Sequence, residues 1–454
     1  MKRHVICGRY GSSDNTPIPI ALDEVLSKLN LVTPDGKLNY GMGHALDDLV
    51  RMGIFSSETG IDLLIFAAHV QAADILIPRD TESQNSWTRE IRLVVPVSDI
   101  TKWHKAASVL TRTLNFLTGD IWTINFRPRP TDLPILAPTG TLQLTGVRFD
   151  CISLFSGGLD SLIGAFDLLQ NGKIPLLISH ASEGSVSDAQ QTCFDALKSH
   201  YAQNEFDRLR VWMSFPGVRA RNKEHEKTTR GRSFLFFTLG VLAGTGFNKH
   251  FVLRVPENGL IALNIPLDQL RLGSHSTRTT HPFYIARWNE ILDLLQIDGH
   301  IENPYWDKTK GEMIDSCINK PILRQLLPSS LSCSSPSKGR YRGYGVQHCG
   351  YCIPCLIRRA AIRKGLSADP TTYTVSSLNG QALSTLRAEG QQIRSFQFAI
   401  QRLKINPNLA KIIILSSGSL SDETQIRQQS LAEVYKRGMD EVADILNDVQ
   451  TKPE

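Results

Sequence analysis

The six residues 156–161, Ser-Gly-Gly-Leu-Asp-Ser, stand between an apolar run and a helix-like stretch, and they constrain the fold more than any other feature. Two adjacent glycines allow a tight turn that brings bare N–H groups close to an anion, and a following helix presents its positive N-terminus. Ser156 and Ser161 add hydroxyl donors. No G-x-x-x-x-G-K-[ST] phosphate loop occurs in the chain, so the pattern predicts a pyrophosphate cradle and attack at the α-phosphate of ATP. The alternative is an ordinary strand-turn-helix corner with a serine cap.

Apolar strand-like segments alternate with helix-like segments after residue 147. The strand candidates are 149–155, 175–179, 209–213 and 250–255, and the helix candidates are 161–170, 187–202 and 232–244. This alternation predicts an α/β fold with a doubly wound parallel sheet over 148–330. In such sheets ligands bind beyond the carboxyl ends of the strands, where the loop 156–161 is expected to lie.

The regions on either side of this segment are interpreted as separate units. Residues 1–147 are expected to form an accessory α+β domain that serves as a scaffold or binds a partner, and residues 366–454 a mainly helical region. The N-terminal strand candidates are 63–66, 75–77, 91–97 and 121–126, with an amphipathic helix over 101–117. The C-terminal helix candidates are 389–403 and 422–449. A proline-rich connector, 127–138, marks the boundary near residue 147.

Composition places the chain among globular proteins. Its apolar fraction of 41% is ordinary, and its 454 residues suffice for two or three domains. Lys and Arg exceed Asp and Glu by 50 − 44 = 6, which falls short of a nucleic-acid signature, so a nucleic acid is not an expected partner. The first residues lack an apolar stretch of signal-peptide length, and the longest apolar run, 63–68, is too short to span a bilayer. We therefore expect a cytoplasmic protein without a membrane segment.

Four of the eight cysteines gather in one region, residues 331–365. Cys349, Cys352 and Cys355 form a C-x2-C-x2-C run, and Cys333 lies upstream. Four thiolates without a vacant position are typical of a closed, structural zinc site, and an iron–sulfur cluster is the alternative. This grouping favours metal binding in a reducing compartment over disulfides. The other cysteines are expected to be buried and free: Cys7, Cys151, Cys193 and Cys317.

The loop resembles the PP-loop of the ATP pyrophosphatase superfamily, whose motif is S-G-G-x-D-S. Together with the cysteine cluster it is similar to the 7-cyano-7-deazaguanine synthase (QueC) family, whose zinc knuckle is C-x(n)-C-G-x-C-x-x-C followed by an arginine, here Arg358. The resemblance covers residues 148–365 and implies an adenine nucleotide α-hydrolase-like fold that uses ATP and Mg²⁺ and holds Zn²⁺. It also implies that Lys310 approaches ATP and that Arg232 leads the helix after the third strand.

The implied reaction is adenylation of a carboxylate like that of 7-carboxy-7-deazaguanine, with release of pyrophosphate and then attack by an amine to give an amide or nitrile. The stretch 256–282 departs from the synthase family. With the extra N-terminal domain, it resembles the QueC-like proteins of bacterial anti-phage operons, such as the Qat system and type IV CBASS. That resemblance implies that the N-terminus of a partner protein from the same operon replaces ammonia, in an ATP-dependent carbon–nitrogen ligase.

Individual roles follow from the chemistry of the side chains. Ser156, Ser161 and the loop N–H groups are expected to hold the departing pyrophosphate, and Asp160 to bind Mg²⁺ or orient the loop. The loop residues expected to bind ATP are Ser156, Gly157, Gly158, Leu159, Asp160 and Ser161. The residues expected to contact phosphate or substrate are Lys310, Arg232, Arg254, Glu257, Asn258, Asp268 and Arg278. The alternative for each basic side chain is a solvated charge on the surface. The alternative for Glu257 and Asn258 is a surface turn.

Two other functions use the same loop. A tRNA-thiolating enzyme would need a cysteine that carries persulfide sulfur, or a cluster with an open iron, and a more strongly basic surface. A catalytically degenerate subunit of a defence complex would bind nucleotide without turnover, and the intact loop argues against it.

Overall fold

The computed structural model describes residues 3–130, 135–138, 147–180, 184–218, 226, 230–268 and 278–453. In this part of the chain the strands form a four-stranded sheet, a five-stranded sheet and a two-stranded ladder, and all their pairings are parallel. The α/β class expected from the alternating pattern is therefore confirmed.

The first sheet is built by the N-terminal residues. Its strands are β1 (Arg3–Arg9), β2 (Glu24–Asn30), β3 (Glu90–Val97) and β4 (Ile121–Pro128), and the helices between them are α1 (Met42–Arg51), α2 (Glu58–Leu76), α3 (Arg79–Glu82) and α4 (Ile100–Thr118). The strand order is β2-β1-β3-β4. Strands β3 and β4 and helix α4 confirm three predictions. Because the pairings among these four strands are all parallel, this part is α/β and not the α+β unit expected.

Two predicted N-terminal strands are wrong. Residues 63–66 lie within α2, and residues 75–77 form its last turn and C-cap. The reason is burial: α2 is enclosed on all sides, so its sequence is apolar all round and lacks the helical periodicity that separates an amphipathic helix from a strand.

The second sheet carries the loop 156–161. Its strands are β5 (Cys151–Leu154), β6 (Pro175–His180), β7 (Asp207–Val211), β8 (Phe251–Arg254) and β9 (Gly299–Glu302). Its helices are α5 (Leu159–Gln170), α6 (Gly184–His200), α7 (Arg232–Gly244), α8 (Gly259–Leu263) and α9 (Pro282–Leu294). The four strands and three helices predicted for this region are confirmed, and β9, α8 and α9 were not predicted.

The order of the second sheet is β7-β6-β5-β8-β9. The chain builds outward from β5 through β6 to β7, then crosses back to place β8 on the other side of β5. The strand order therefore reverses between β5 and β8, and a crevice opens beyond the carboxyl ends of these two strands.

One apolar core extends through both sheets. Helix α2 of the N-terminal part packs against α7 of the second sheet, and the Phe66 and Phe234 rings meet edge-on with centroids 5.5 Å apart. The boundary near residue 147 stays a prediction, and part of the predicted connector, 131–134, lies outside the described residues.

The C-terminal part is mainly helical. Its helices are α10 (Lys310–Ser316), α11 (Lys320–Leu326), α12 (Ile353–Gly365), α13 (Ala388–Ile405), α14 (Leu409–Ile413) and α15 (Gln425–Leu446). Two 3-10 helices, Leu327–Ser329 and Pro336–Arg342, and the short strands β10 (Leu383–Ser384) and β11 (Thr451–Lys452) complete it. Helices α13 and α15 confirm the two predicted helices. Helix α15 packs against α8, α12 and α13 around a second apolar core.

Helix α2 has the length and apolarity of a bilayer span, contrary to the expectation that no such segment exists. However, 89% of its apolar window is buried inside the protein, which is typical of the core helix of a soluble protein. A cytoplasmic location stays a prediction.

Candidate active site and metal site

The turn that joins β5 to α5 depends on Gly157. This residue has φ +80, and a Cβ atom there would lie 3.0 Å from the backbone nitrogen of Gln190. Gly158 has φ −84 and is the N-cap of α5. A side chain at Gly157 is therefore excluded both by backbone strain and by the close approach of α6.

The two serines of the loop face each other. The Oγ atoms of Ser156 and Ser161 lie 3.2 Å apart, the N–H of Gly158 donates to Ser156 Oγ at 3.3 Å, and Ser161 Oγ donates to the Gly158 carbonyl at 3.0 Å. Both hydroxyls thus stand at the N-terminus of α5, where the helix dipole favours an anion.

Residues 331 and 332 form one wall of the loop. The N–H of Leu331 donates to the Gly157 carbonyl at 2.8 Å, and the N–H of Leu159 donates to Ser332 Oγ at 3.2 Å. Ser332 immediately precedes Cys333, so the wall is continuous with the cysteine cluster. One N–H of the predicted anion cradle is therefore engaged by a hydroxyl of the knuckle.

Asp160 lies in a buried cluster of polar side chains at the crevice. Its Oδ1 atom is 3.0 Å from Lys310 Nζ, and its Oδ2 atom accepts hydrogen bonds from the side chain and the backbone N–H of Asn258 at 2.7 and 3.2 Å. The Asp160 and Lys310 side chains are 6% and 4% exposed. The structure thus brings together residues from α5, α8 and α10 that the sequence separates widely.

Glu257 completes this cluster with a second carboxyl group. Burial and the neighbouring Asp160 carboxylate raise the pKa of Glu257 well above its ordinary value, which favours its protonated form. Burial acts to raise the pKa of Asp160 too, but the Lys310 ammonium and its hydrogen-bond donors bring it below the ordinary value. Two carboxyl groups with pKa values shifted in opposite directions therefore lie beside a single ammonium group.

Lys310 is held in place by the first turn of α10. Thr309 and Glu312 form a capping box there, in which Thr309 Oγ1 accepts from the backbone of Glu312 and the Glu312 carboxylate accepts from that of Thr309. Glu441 of α15 accepts hydrogen bonds from Thr309 Oγ1 and, at 3.2 Å, from the N–H of Gly311. The C-terminal helix thereby orients the lysine that was predicted to approach ATP.

Arg232 lies on the other side of the loop, at the carboxyl end of β6. Its Nη2 atom donates to the His180 carbonyl at 2.6 Å, and Gln190 Nε2 donates to the same carbonyl at 3.3 Å and to the Ser156 carbonyl at 3.4 Å. Arg232 is therefore linked to the loop through backbone oxygens.

Three residues that were predicted to contact the substrate lie outside the cluster around Asp160 or contact other side chains. Arg254 pairs with Glu302 of β9 at 3.2 Å, and both side chains are 38% exposed. Arg278 donates to the Phe116 carbonyl of α4 at 3.1 Å and stacks on that ring. Asp268 lines an open cavity beside α13. The stretch 269–277, which joins two of these residues, lies outside the described residues.

Asn258 has a structural role in addition to any contact with a ligand. Its Oδ1 atom accepts from the N–H of Ile261 at 3.1 Å and caps α8, while its Nδ2 atom donates to Asp160. The side chain is fully buried. The alternative of a surface turn at 257–258 is therefore excluded for Asn258. Contact between Asn258 and a purine-like base stays a prediction.

The cysteine cluster has the geometry of a single metal site. The sulfur atoms of Cys333, Cys349, Cys352 and Cys355 lie within 4.8 Å of one another, with two pairs at 3.9 Å. Four zinc–sulfur bonds of about 2.3 Å in a tetrahedron place the sulfurs about 3.8 Å apart, so the cluster fits one zinc ion. Hydrogen bonds from the three other thiols hold the pKa of Cys352 far below its ordinary value, which favours the thiolate that a metal requires.

Hydrogen bonds from backbone N–H groups and the conformation of Gly350 give the cluster its shape. The N–H groups of Cys349 and Cys352 donate to Cys333 Sγ and Cys349 Sγ, both at 3.3 Å. Gly350 has φ +90 and leaves space for the Val375 carbonyl, which a Cβ atom would approach to 2.5 Å. These features describe a preformed, closed site rather than an exposed one.

Arg358 joins the metal site to the wall of the loop. It lies on α12, the helix that carries Cys355, and its side chain is completely buried. Its Nη1 atom donates to Ser330 Oγ at 2.9 Å and lies 3.5 Å from Ser332 Oγ, and its Nη2 atom donates to the Leu327 carbonyl at 2.6 Å. The arginine after the last cysteine therefore fixes the segment that touches the loop.

Three functional neighbours were missed by sequence reasoning. Ser332 and Gln190 touch the loop, and Glu441 orients the start of α10. Only Ser332 carries a signal, because it adjoins a predicted metal ligand. The other two lie on helices whose packing the sequence does not reveal.

No protein-family model matches this sequence, and no curated protein matches it. The chemistry of the site therefore has to be argued from its geometry. The loop offers N–H and O–H donors at a helix N-terminus, and the cluster beside it offers two carboxyl groups and an ammonium. This combination is suited to an anion accompanied by a divalent cation.

Proposed function

We propose that this chain adenylates a carboxylate with ATP, releases pyrophosphate, and lets an amine displace AMP to form an amide. Where the amine is ammonia, a second ATP would adenylate the amide oxygen, and loss of that oxygen with AMP and of the two nitrogen protons would give the nitrile. The carboxylate we favour is that of a 7-carboxy-7-deazaguanine-like molecule. The amine is ammonia or the N-terminus of a partner protein. The proposal makes the chain an ATP-dependent carbon–nitrogen ligase of a defence system.

The observation that carries this proposal is the position of the loop 156–161 at the point where the strand order of the second sheet reverses. The loop follows β5, and the residues that follow β8 reach it through the contact between Asn258 and Asp160. Ligands of open parallel sheets bind in this crevice. A serine-capped corner that binds no ligand does not require two carboxyl groups and a lysine beside it.

The phosphate chain fits the donors of the loop. In the proposed reaction the substrate carboxylate attacks the α-phosphorus, the bond to the bridging oxygen of pyrophosphate breaks, and negative charge accumulates on that oxygen. The loop N–H groups and the hydroxyls of Ser156 and Ser161 would stabilise this charge after exchanging their present hydrogen bonds for the anion. Lys310 supplies a positive charge at the same place.

Mg²⁺ fits the pair of carboxyl groups. Oxygen ligands from one or two carboxylates, together with phosphate oxygens and water, are the usual environment of this ion. Asp160 and Glu257 would hold the ion, which would neutralise negative charge on the phosphates. Lys310 would move from Asp160 toward the phosphates.

The cysteines argue against tRNA thiolation by a persulfide. Four of them are grouped around one metal position. Burial raises the pKa of the remaining thiols above the ordinary value, to about 11 in Cys151 and Cys317 and about 12 in Cys193, and in Cys7 as well. None of the four is therefore the low-pKa, accessible thiolate that persulfide chemistry needs.

The test is mass spectrometry of the products formed from ATP, Mg²⁺ and 7-carboxy-7-deazaguanine with either ammonium or the neighbouring operon protein. We expect AMP and pyrophosphate together with a small amide or nitrile, or a mass increase at the partner's N-terminus. ADP and phosphate, or no AMP with any acid, would overturn the proposal. Bound iron and a brown colour would favour the thiolating alternative.

Two variants make this experiment specific. Lys310→Met should lower AMP formation by at least about 100-fold, the effect expected when one charged stabiliser of the transition state is lost. Arg148→Gln removes a partly exposed arginine near the opposite end of the same sheet, where it pairs with Asp207 at the start of β7 at 2.8 Å, and should leave AMP formation nearly unchanged.

A further inference from the structure

The segment between Cys333 and Cys349 has an unusual composition. Residues 334–348 include three basic residues and two tyrosines but no aspartate or glutamate. We call residues 336–346 the arginine–tyrosine segment. The small positive excess of the whole chain conceals this local concentration of charge.

The arginine–tyrosine segment is a built turn and not a loose loop. It begins with the 3-10 helix Pro336–Arg342, which ends at Gly343 with φ +77. The N–H of Tyr344 donates to the Gly339 carbonyl at 3.1 Å, and Gln347 Nε2 donates to Thr374 Oγ1 at 3.1 Å. A Cβ atom on Gly339 would approach the Gly345 carbonyl to 2.5 Å, so the turn closes tightly on itself. Its exposed side chains therefore project from a defined surface.

Two tyrosine rings project from this surface into solvent. Tyr341 is 91% exposed and Tyr344 is 53% exposed. Tyrosine normally buries most of its ring, and these two rings, three residues apart, leave flat apolar faces accessible to a ligand. Lys338 and Arg340, which precede Tyr341, are exposed as well, and so is Arg342, which lies between the two tyrosines in the sequence.

A polar groove of about 640 Å³ adjoins the segment. Three basic side chains and one acidic one line it, together with several hydroxyl and backbone groups: Arg342, Arg387, Lys452 and Glu389. Arg342 donates to Glu389 at 2.6 Å, so two of the four charges are paired with each other. The groove retains a positive balance next to the exposed rings.

We propose that the arginine–tyrosine segment and this groove bind single-stranded nucleic acid. Bases would stack on the rings of Tyr341 and Tyr344, and phosphates would contact Lys338, Arg340 and the groove. Basic side chains interleaved with exposed aromatic rings form the usual platform for a single strand, because each base offers a flat face and each linkage a negative charge. In a duplex the base faces are already stacked on one another and cannot contact the tyrosine rings. An acidic peptide would pair with the basic side chains but has no flat base to stack on the rings.

Fluorescence anisotropy with the full chain tests this inference. The probes are a labelled single-stranded RNA, the DNA of the same sequence, and the corresponding duplex, each titrated at several salt concentrations. We expect both single strands to bind more tightly than the duplex. A difference in affinity between the RNA and the DNA single strand shows which of the two the protein prefers. Preference for either one supports the inference.

Two variants separate stacking from charge. Tyr341→Ala should weaken binding of the single strand by about 5- to 100-fold, the loss expected for one base stacked on an aromatic ring. The double substitution Lys338→Gln with Arg340→Gln should reduce the slope of log affinity against log salt by about 1.4, since each phosphate contact to a single strand contributes about 0.7.

Matched controls protect against a general effect of mutation. Trp212→Ala removes another half-exposed aromatic ring, and Lys411→Gln another exposed charge, and both should bind the strand as the wild type does. Metal content should be unchanged in every variant. The inference is overturned by absent binding, by equal affinity for the duplex, by unchanged affinity of Tyr341→Ala, or by polyglutamate competing as well as the nucleic acid. This inference does not depend on the proposed reaction.

Discussion

The ammonium group of Lys310 lies 3.0 Å from the Oδ1 atom of Asp160, although the two residues begin different helices, α10 and α5. Both side chains are almost entirely buried, so each charge depends on the other for its stability. The loop therefore carries its own counter-ion pair, which an incoming cation and phosphate would have to rearrange.

Removing one partner of this pair should cost far more than removing both. Asp160→Asn or Lys310→Met alone is expected to lower the free energy of unfolding by about 3–5 kcal/mol, because an unpaired charge stays buried. The double variant should recover a large part of that loss. Urea unfolding at pH 7 measures the three changes, and strictly additive values would show that the contact contributes nothing.

The stability of the protein should depend on pH through Glu257. Its pKa is raised in the folded protein, so as the pH rises the unfolded chain loses this proton first, near the ordinary value of 4.5. Stability is then lost progressively until the pH passes the raised pKa. Glu257→Gln should remove this decline. Urea midpoints between pH 4 and pH 9 check the prediction, and parallel curves for both proteins would contradict it.

The two glycines of the loop should respond differently to alanine. Gly157→Ala adopts a left-handed backbone and meets Gln190, so it should destabilise the protein by at least about 1–2 kcal/mol. At Gly158 the backbone is extended and nothing lies within 3.4 Å of a Cβ atom, so this variant should fold normally. Its methyl group would still obstruct an approaching phosphate. Calorimetry should therefore show that Gly158→Ala binds MgATP about tenfold more weakly at an unchanged melting temperature.

Ser332 should compete with an anion for the N–H of Leu159. Ser332→Ala removes the acceptor that now occupies this donor, and pyrophosphate should bind about 2- to 10-fold more tightly, the value of one net hydrogen bond. Ser330→Ala is the matched control, since its hydroxyl contacts Arg358 and not the loop. Equal pyrophosphate affinity in both variants would show that the Leu159 N–H does not contact the anion.

The metal should stabilise the wall of the loop as well as the knuckle. Cys352→Ser is expected to lower zinc affinity by at least about tenfold and to loosen residues 331–332, which exposes the amides of Leu331 and Leu159. Hydrogen exchange of these amides and metal analysis measure the two effects. Cys151→Ser changes a buried cysteine outside the cluster and should keep the metal. Loss of metal without faster exchange would show that the two sites are independent.

The sequence was sufficient for features that depend on local chemistry. The turn at Gly157, the N-terminus of α5 and the grouping of four cysteines follow from residue types at fixed short spacing, and the structure contains all three. Helix α2 was misjudged because a fully buried helix and a buried strand are both uniformly apolar. Strand β9 was missed because residues 299–302, Gly-His-Ile-Glu, contain a single apolar side chain.

The sequence by itself determined that this chain would build a parallel α/β sheet, a glycine turn at a helix N-terminus and a group of four cysteines that could hold a metal ion, because each depends on neighbours along the chain. Only the tertiary structure decided what stands beside the turn. It placed Asp160 against Glu257, Asn258 and Lys310, and it set Ser332 on the N–H of Leu159, while Arg254, Asp268 and Arg278 went elsewhere. These contacts join residues far apart in the chain, and strand order and helix packing bring them together where local pattern has no influence.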